Sequence, residues 1–305
     1  MNPRLSFRQD GTFTIVQFTD IHWTEGSEPD QKSRKLMEDV LDAEQPDLVF
    51  YTGDTIFSKD CPDPHRSARQ AVEPALQRNR PWAVVFGNHD TEHGITRREL
   101  MDTFRELPHC LSLPGPEDIT GVGNFVLEVS SARSEQIAAL LYGIDSGSYS
   151  PVDNVPGYDW IRQDQIQWYR RQSAAYTAAN GSPLPALAFF HIPLPEYAEM
   201  WAAAGCSGTR GEPECAPKIN SGMFTAFAEM GDVMGTFVGH DHLNDYMGEW
   251  YGIRLCYGRA SGYNTYGRDD FPRGARVIRL HEGERRFDTW LRLDGGAVVR
   301  EQETN

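Results

Sequence analysis

The sequence predicts an α/β protein built on two facing β-sheets, and three observations carry that prediction. Short apolar runs alternate with amphipathic stretches through the first half, as strands joined by crossover helices do. Those runs are apolar without alternation, which is expected of strands covered on both faces. No linker, fixed-period repeat or low-complexity tract interrupts the 305 residues, so one domain spanning 1–305 is expected.

Residues 13–18 are the first expected strand. Leu36, Met37, Val40 and Leu41 then recur at helical spacing, in a helix that must stop near Pro46. Residues 48–51 and 82–86 are the next strands, with a helix between them over 68–76 and another after them over 96–107. A second series has strands at 124–129 and 139–144, a helix over 159–178, and strands at 186–190 and 233–238. From residue 253 onward strand-like runs separated by glycine turns include 275–280 and 289–293. Trp160, Trp168 and Tyr169 fall at helical spacing and are expected in the core.

Composition excludes several classes. With 29 basic against 44 acidic side chains the net charge is −15, which opposes general binding to a nucleic acid through the overall field. The hydrophobic fraction of 39% is that of an ordinary globular protein, so wholesale disorder is excluded. No stretch approaches the ~18–20 consecutive apolar residues of a membrane span, and residues 1–6 lack the apolar run of a secretory signal, so a soluble, cytoplasmic protein without membrane association is expected. Five cysteines at no metal-ligand spacing are expected as free thiols, although Cys206 and Cys215 share one Gly/Pro-rich loop and could approach each other.

The residues that carry chemistry stand directly after the apolar runs. Asp20 and His22 follow Phe18, Gly53-Asp54 follows Tyr51, and Gly87-Asn88-His89-Asp90 follows Phe86. His191 follows Phe190, and Gly239-His240-Asp241-His242 follows Val238. Five of the nine histidines sit in these units. Sites in α/β sheets assemble at the carboxyl ends of strands, so five independent strand tips point to one location. Imidazole together with carboxylate suits manganese, iron, zinc and similar transition metals, whereas magnesium or calcium sites are built of oxygens. His65, His93, His109 and His281 lie outside the units and are expected at the surface.

Asp-x-His, Gly-Asp, Gly-Asn-His-Asp, a later His and Gly-His-x-His, in that order over residues 20–242, resemble the calcineurin-like metallophosphoesterase superfamily. Within it the chain is most similar to the purple-acid-phosphatase-related proteins that lack the purple colour. The supporting segments are Asp159-Trp160-Ile161 with Gln165, Trp168 and Tyr169, Asn220-Ser221-Gly222-Met223-Phe224, and Tyr257-Gly258-Arg259 with Ser261-Gly262-Tyr263. True purple enzymes place an iron-binding tyrosine three positions after the aspartate of the second motif, where this chain has Phe57. A benzene ring cannot ligate, and His22 supplies a replacement, so no tyrosinate colour is expected.

The resemblance implies a four-layer αββα sandwich of two mixed β-sheets flanked by helices. It also implies two divalent transition-metal ions, manganese, iron or zinc, with Asp20, His22 and His242 on one, Asn88, His191 and His240 on the other, and Asp54 bridging both. Two cations ~3.5–4 Å apart polarise a phosphoryl oxygen and bring the pKa of a bound water to about 7, so a metal-bridging hydroxide attacks a small phosphoester, monoester or diester. Asn88 ligates without adding charge, leaving a positive local field despite the acidic chain. His89 is the expected general acid toward the departing oxygen; Asp90 either orients it or caps the turn before Thr96. Protein serine/threonine phosphatases of the superfamily carry an aspartate at the position of Phe57 to orient that histidine, and its absence argues against that branch. Arg259, Asn220 and Tyr263 are the expected substrate contacts, with Tyr266, Trp23 and Arg210 as further candidates. Two other readings stand beside this one: a metal-binding scaffold or regulator without turnover, and a dinuclear hydrolase of a non-phosphate bond.

Overall fold

The apolar runs of the first half pair with one another, parallel and in register. β2 (Thr12–Phe18), β3 (Leu48–Thr52) and β4 (Trp82–Val85) lie side by side, with Val16 opposite Val49 and Val49 opposite Trp82. The computed structural model describes residues 3–203 and 205–300. Three strands from the end of the chain, β11 (Gly274–His281), β12 (Phe287–Leu293) and β13 (Val298–Val299), extend this sheet antiparallel in the order β13-β12-β11-β2-β3-β4. The second sheet contains β1 (Leu5–Ser6), β5 (Phe125–Ser130), β6 (Ile137–Gly143), β7 (Ala186–Phe189) and β8 (Val233–Val238). With β9 (Met247–Trp250) and β10 (Ile253–Tyr257) its order is β1-β5-β6-β7-β8-β10-β9, and β6, β7, β8 and β10 run parallel.

Three apolar layers explain why the strands lack alternation. Between the sheets, Phe13, Ile15, Phe50, Phe189 and Phe237 form a shared core, with Phe50 and Phe189 stacked at 4.0 Å across the interface. Each such ring contributes roughly 1.5–3 kcal/mol when fully buried. The opposite face of the first sheet is covered by α1 (Glu28–Glu44), α2 (Pro64–Ala71), α3 (Glu73–Gln77) and α4 (Arg97–Arg105), and Leu36, Met37, Val40 and Leu41 form the buried stripe of α1. The outer face of the second sheet packs on α5 (Gln163–Asn180), α6 (Glu196–Ala202) and α7 (Met223–Met230). The αββα sandwich is therefore the observed architecture, with mixed sheets as expected.

Some local expectations need correction. The single helix expected over 68–76 is two helices, because Pro74 supplies no N–H and sits in the first turn of the second. The helix expected from 159 begins only at Gln163, leaving Trp160 outside it, half-buried under the Arg162 guanidinium at 4.2 Å. Trp168 and Tyr169 are buried as expected. All five cysteines are free, Cys206 buried and Cys215 exposed. Among the described residues no helix is long and apolar enough to cross a membrane.

Candidate metal centre

The parallel strands β2, β3, β4, β7 and β8 all end at the same edge of the sandwich, and the chain turns sharply after each. Among the described residues, eight non-glycine residues have positive φ, and four are Asp20, His22, Asp54 and His240, at 53°, 52°, 48° and 81°. Left-handed backbone at ordinary residues is strained and persists where the surroundings demand it. Here the turns aim side chains from separate strands into one volume. Close approach sets the glycines too: a Cβ on Gly87 would collide with the Asp54 carboxylate, and one on Gly239 with Thr19 and Asp20.

The seven residues proposed from sequence as ligands are buried at this edge. Asp20, His22 and His242 bring ligand atoms within 4.8 Å of one another, as do Asp54, His191 and His240. Asp54 joins the two groups, since its Oδ2 lies 3.0 Å from His191 Nε2 and 3.6 Å from His22 Nε2. His240 Nδ1 is 3.2 Å from the same His191 nitrogen, and His242 Nε2 is 3.4 Å from Asp20 Oδ1.

Neighbouring groups set which atoms face inward. His191 Nδ1 donates to the Thr52 carbonyl at 2.8 Å, so its Nε2 is the atom presented to Asp54. Thr265 Oγ1 lies 2.8 Å from His242 Nδ1. Asp54 Oδ1 accepts from the His89 amide at 2.8 Å, and both Asp20 oxygens accept from the His240 amide at 3.1 Å. The Asn88 amide group donates to Tyr149 at 3.2 Å, which turns Oδ1 the other way.

The residues fit a pair of cations. His22 Nε2, His240 Nε2 and Asn88 Oδ1 are buried polar atoms with no hydrogen-bonding partner. Such orphans are rare and disfavoured unless something outside the chain satisfies them. Burial holds His22 and His240 neutral, lowering each to about 3, so both offer lone pairs at neutral pH. His191 differs: burial opposes its charge, but the Asp54 carboxylate overrides that and lifts it to about 9. Its proton occupies a position that a cation would take.

A family model described as calcineurin-like phosphoesterase matches residues 13–244, a span that includes all seven candidate ligands and His89. The chain belongs to the calcineurin-like phosphoesterase family. It is 36% identical to an Arabidopsis thaliana protein named probable inactive purple acid phosphatase 29, over 95% of this chain and 85% of that one. It is 33% identical to phosphatase DCR2 of Saccharomyces cerevisiae, over 96% of this chain and 55% of that protein. Its fold resembles that of a dimetal phosphatase from Danio rerio, with a TM-score of 0.63 at 14% identity, covering 96% of this chain and 98% of that one.

Within this calcineurin-like fold the expected substrate contacts fare differently from the ligands. Arg259 is buried, ion-paired with Asp245, and donates through Nε to the Pro272 carbonyl at 2.7 Å. Its Nε and Nη1 are thus engaged within the protein. Tyr263 donates its hydroxyl to Asp294, and Asn220 donates to Glu196 at 2.8 Å. Arg210 pairs with Glu214 at 2.7 Å, and Trp23 is buried with its indole nitrogen donating to Gln70 at 3.2 Å. Tyr266 does reach the site, its ring stacked on His242 at 4.1 Å.

Asp90 serves the turn and not the imidazole of His89. Its buried carboxylate accepts from the amides of Ile56 and Gly87 at 3.0 and 2.7 Å, which ties the loop after β3 to the loop after β4. The specific contacts of three residues escaped the reading of the sequence. Tyr158 stands perpendicular to His240 at 4.3 Å, and Tyr149 stacks on Tyr158 at 5.7 Å. Glu92 lies 2.8 Å from His89 Nδ1; its position three residues after His89 in a short helical turn was the available signal.

Proposed function

We propose that residues 1–305 act as one domain, a phosphoesterase that depends on two divalent transition-metal ions and hydrolyses phosphate monoesters or diesters. The observation that carries this reading is the buried Asp54 Oδ2 set between His22 and His191, one from each ligand group, beside His22 Nε2 and Asn88 Oδ1, which lack hydrogen bonds. When bound, the cations supply Lewis acidity toward phosphoryl oxygens and activate water near neutral pH. Asp20, His22 and His242 would hold one and Asn88, His191 and His240 the other, with Asp54 between them. Asn88 presents an uncharged oxygen, so the two carboxylates leave the site positive and attractive to an anionic ester.

The chain's own groups supply the rest. His89 is 28% exposed where the candidate ligands are buried, so its ring stands at the rim with room for an ester oxygen. With Nδ1 directed to Glu92, Nε2 is the nitrogen left to deliver a proton to the departing group. Tyr149 and Tyr266, about half exposed, line that rim and offer aromatic faces to an organic substituent.

Turnover of 4-nitrophenyl phosphate and bis(4-nitrophenyl) phosphate by manganese-loaded protein tests this reading, with release of 4-nitrophenol expected from at least one ester. A second reading, a metal-binding protein without turnover, is favoured by relatives named probable inactive. Full metal loading with no hydrolysis of either ester, or of a wider phosphoester panel, would establish it instead.

A further inference from the structure

We propose that Glu92 is the positioning residue for His89: it fixes the imidazole through Nδ1 so that Nε2 meets the departing ester oxygen. This rests on the phosphoesterase reading above.

The local backbone prepares the contact. Ser58 donates its hydroxyl to the His89 carbonyl at 2.7 Å and accepts from the amides of Glu92 and His93 at 2.8 and 3.2 Å. That clamp closes the turn and folds the Glu92 side chain back over His89. The Glu92 side chain is 4% exposed although it belongs to a surface turn. A carboxylate removed from water needs donors, and three converge on it. Oε2 faces His89 Nδ1 at 2.8 Å, while Oε1 accepts from the Tyr149 hydroxyl at 2.6 Å and from Lys59 at 3.0 Å. Burial alone opposes its ionisation, but these donors outweigh it and hold the group below the usual glutamate range. Glu92 is therefore an anion whenever His89 needs a partner.

The two other candidates beside His89 do not supply that acceptor. Phe57 packs perpendicular to the His89 ring at 5.1 Å and lies 5.7 Å from the ring of nearby His22, forming a wall without an acceptor. Asp90 is consumed by two backbone amides. Tyr149, which holds Glu92, also accepts from Asn88 at 3.2 Å, so one hydroxyl braces both the acid's partner and a candidate ligand. In the step itself the bond from phosphorus to the ester oxygen breaks, its electron pair stays on that oxygen, and the oxygen takes the Nε2 proton. Water supplies the new oxygen on phosphorus, and the proton that water loses restores the imidazolium through solvent, so alcohol and phosphate are the products. A charged acceptor at Nδ1 stabilises that imidazolium and fixes its direction.

The test uses the full chain and two esters. Glu92→Gln should lower kcat on phenyl phosphate by up to about 100-fold, the lower end of the roughly 10²–10⁴-fold scale of general-acid catalysis, with KM and metal content unchanged. On 2,4-dinitrophenyl phosphate, whose leaving group needs no proton, the loss should stay under about threefold. Equal losses on both esters, or loss of metal, would overturn the proposal. A readout without turnover is the nitrogen-15-edited proton spectrum of histidine-labelled protein, with the His89 signal assigned by its disappearance in His89→Ala. A slowly exchanging His89 Nδ1 proton is expected in the wild type and should vanish in Glu92→Ala, which has no acceptor left. Its persistence there would overturn the proposal even for a wild type that hydrolyses neither ester, an outcome that separately defeats the phosphoesterase reading.

Discussion

Replacing Asp54 with asparagine changes one atom at the point where both ligand groups meet. Oδ1 keeps its bond from the His89 amide, so the tie between the loops after β3 and β4 survives. The amide nitrogen falls where Oδ2 now lies, 3.0 Å from His191 Nε2 and 3.6 Å from His22 Nε2, and presents hydrogens in place of lone pairs. A cation held by either nitrogen would sit within about 4 Å of that atom. At an effective dielectric of ~20, unit charges about 4 Å apart interact by about 4 kcal/mol. Losing even that much lowers affinity roughly a thousandfold, at ~1.4 kcal/mol per decade. Competition against a calibrated chelator, with metal content measured after dialysis and circular dichroism to check the fold, should show this loss in Asp54→Asn. Two cations retained with affinity within tenfold of wild type would refute the bridging role.

The same structure sets four further outcomes. His89→Ala should reduce the rate about 10²–10⁴-fold while both cations stay bound, measured by turnover and metal analysis on one preparation. Metal affinity at the Asn88, His191 and His240 position should rise about tenfold per pH unit from 6 to 8, because one proton must leave His191, lifted to about 9, while His240 is held neutral down to about 3. In the metal-free chain the sign reverses: the His191 contribution to stability is full below its ordinary 6.5 and fades as pH rises through about 9, a trend that thermal melts with and without manganese would separate. Arg259→Ala should lower stability by about 1–3 kcal/mol by removing its buried bonds to Asp245 and to the Pro272 carbonyl, with KM per folded molecule unchanged; a raised KM at full stability would mark Arg259 as a substrate contact.

The candidate ligands were legible because they come directly after five apolar runs. Phe18, Tyr51, Phe86, Phe190 and Val238 mark strand ends by composition, and a histidine or aspartate one to four residues later needs no long-range information to be noticed. Both sheets were legible for the same reason, as strands covered on both faces have no polar side. The internal engagement of Arg259 was not legible, because its sequence neighbourhood gives no sign of Asp245, the buried partner across the loop. The contacts of Tyr149 and Tyr158 were not legible because they come from packing on each other and on His240, remote in sequence. Glu92 was nearest to being found. Its spacing from His89 is local, but the donors that hold it, Lys59 and Tyr149, come from separate loops.

The most direct measurement is anomalous diffraction from crystals grown with manganese. Two peaks about 3.5–4 Å apart are predicted on either side of Asp54 Oδ2, one among Asp20, His22 and His242 and the other among Asn88, His191 and His240. A fully loaded crystal with no density at Asp54, or with its cations bound elsewhere on the chain, would contradict the account.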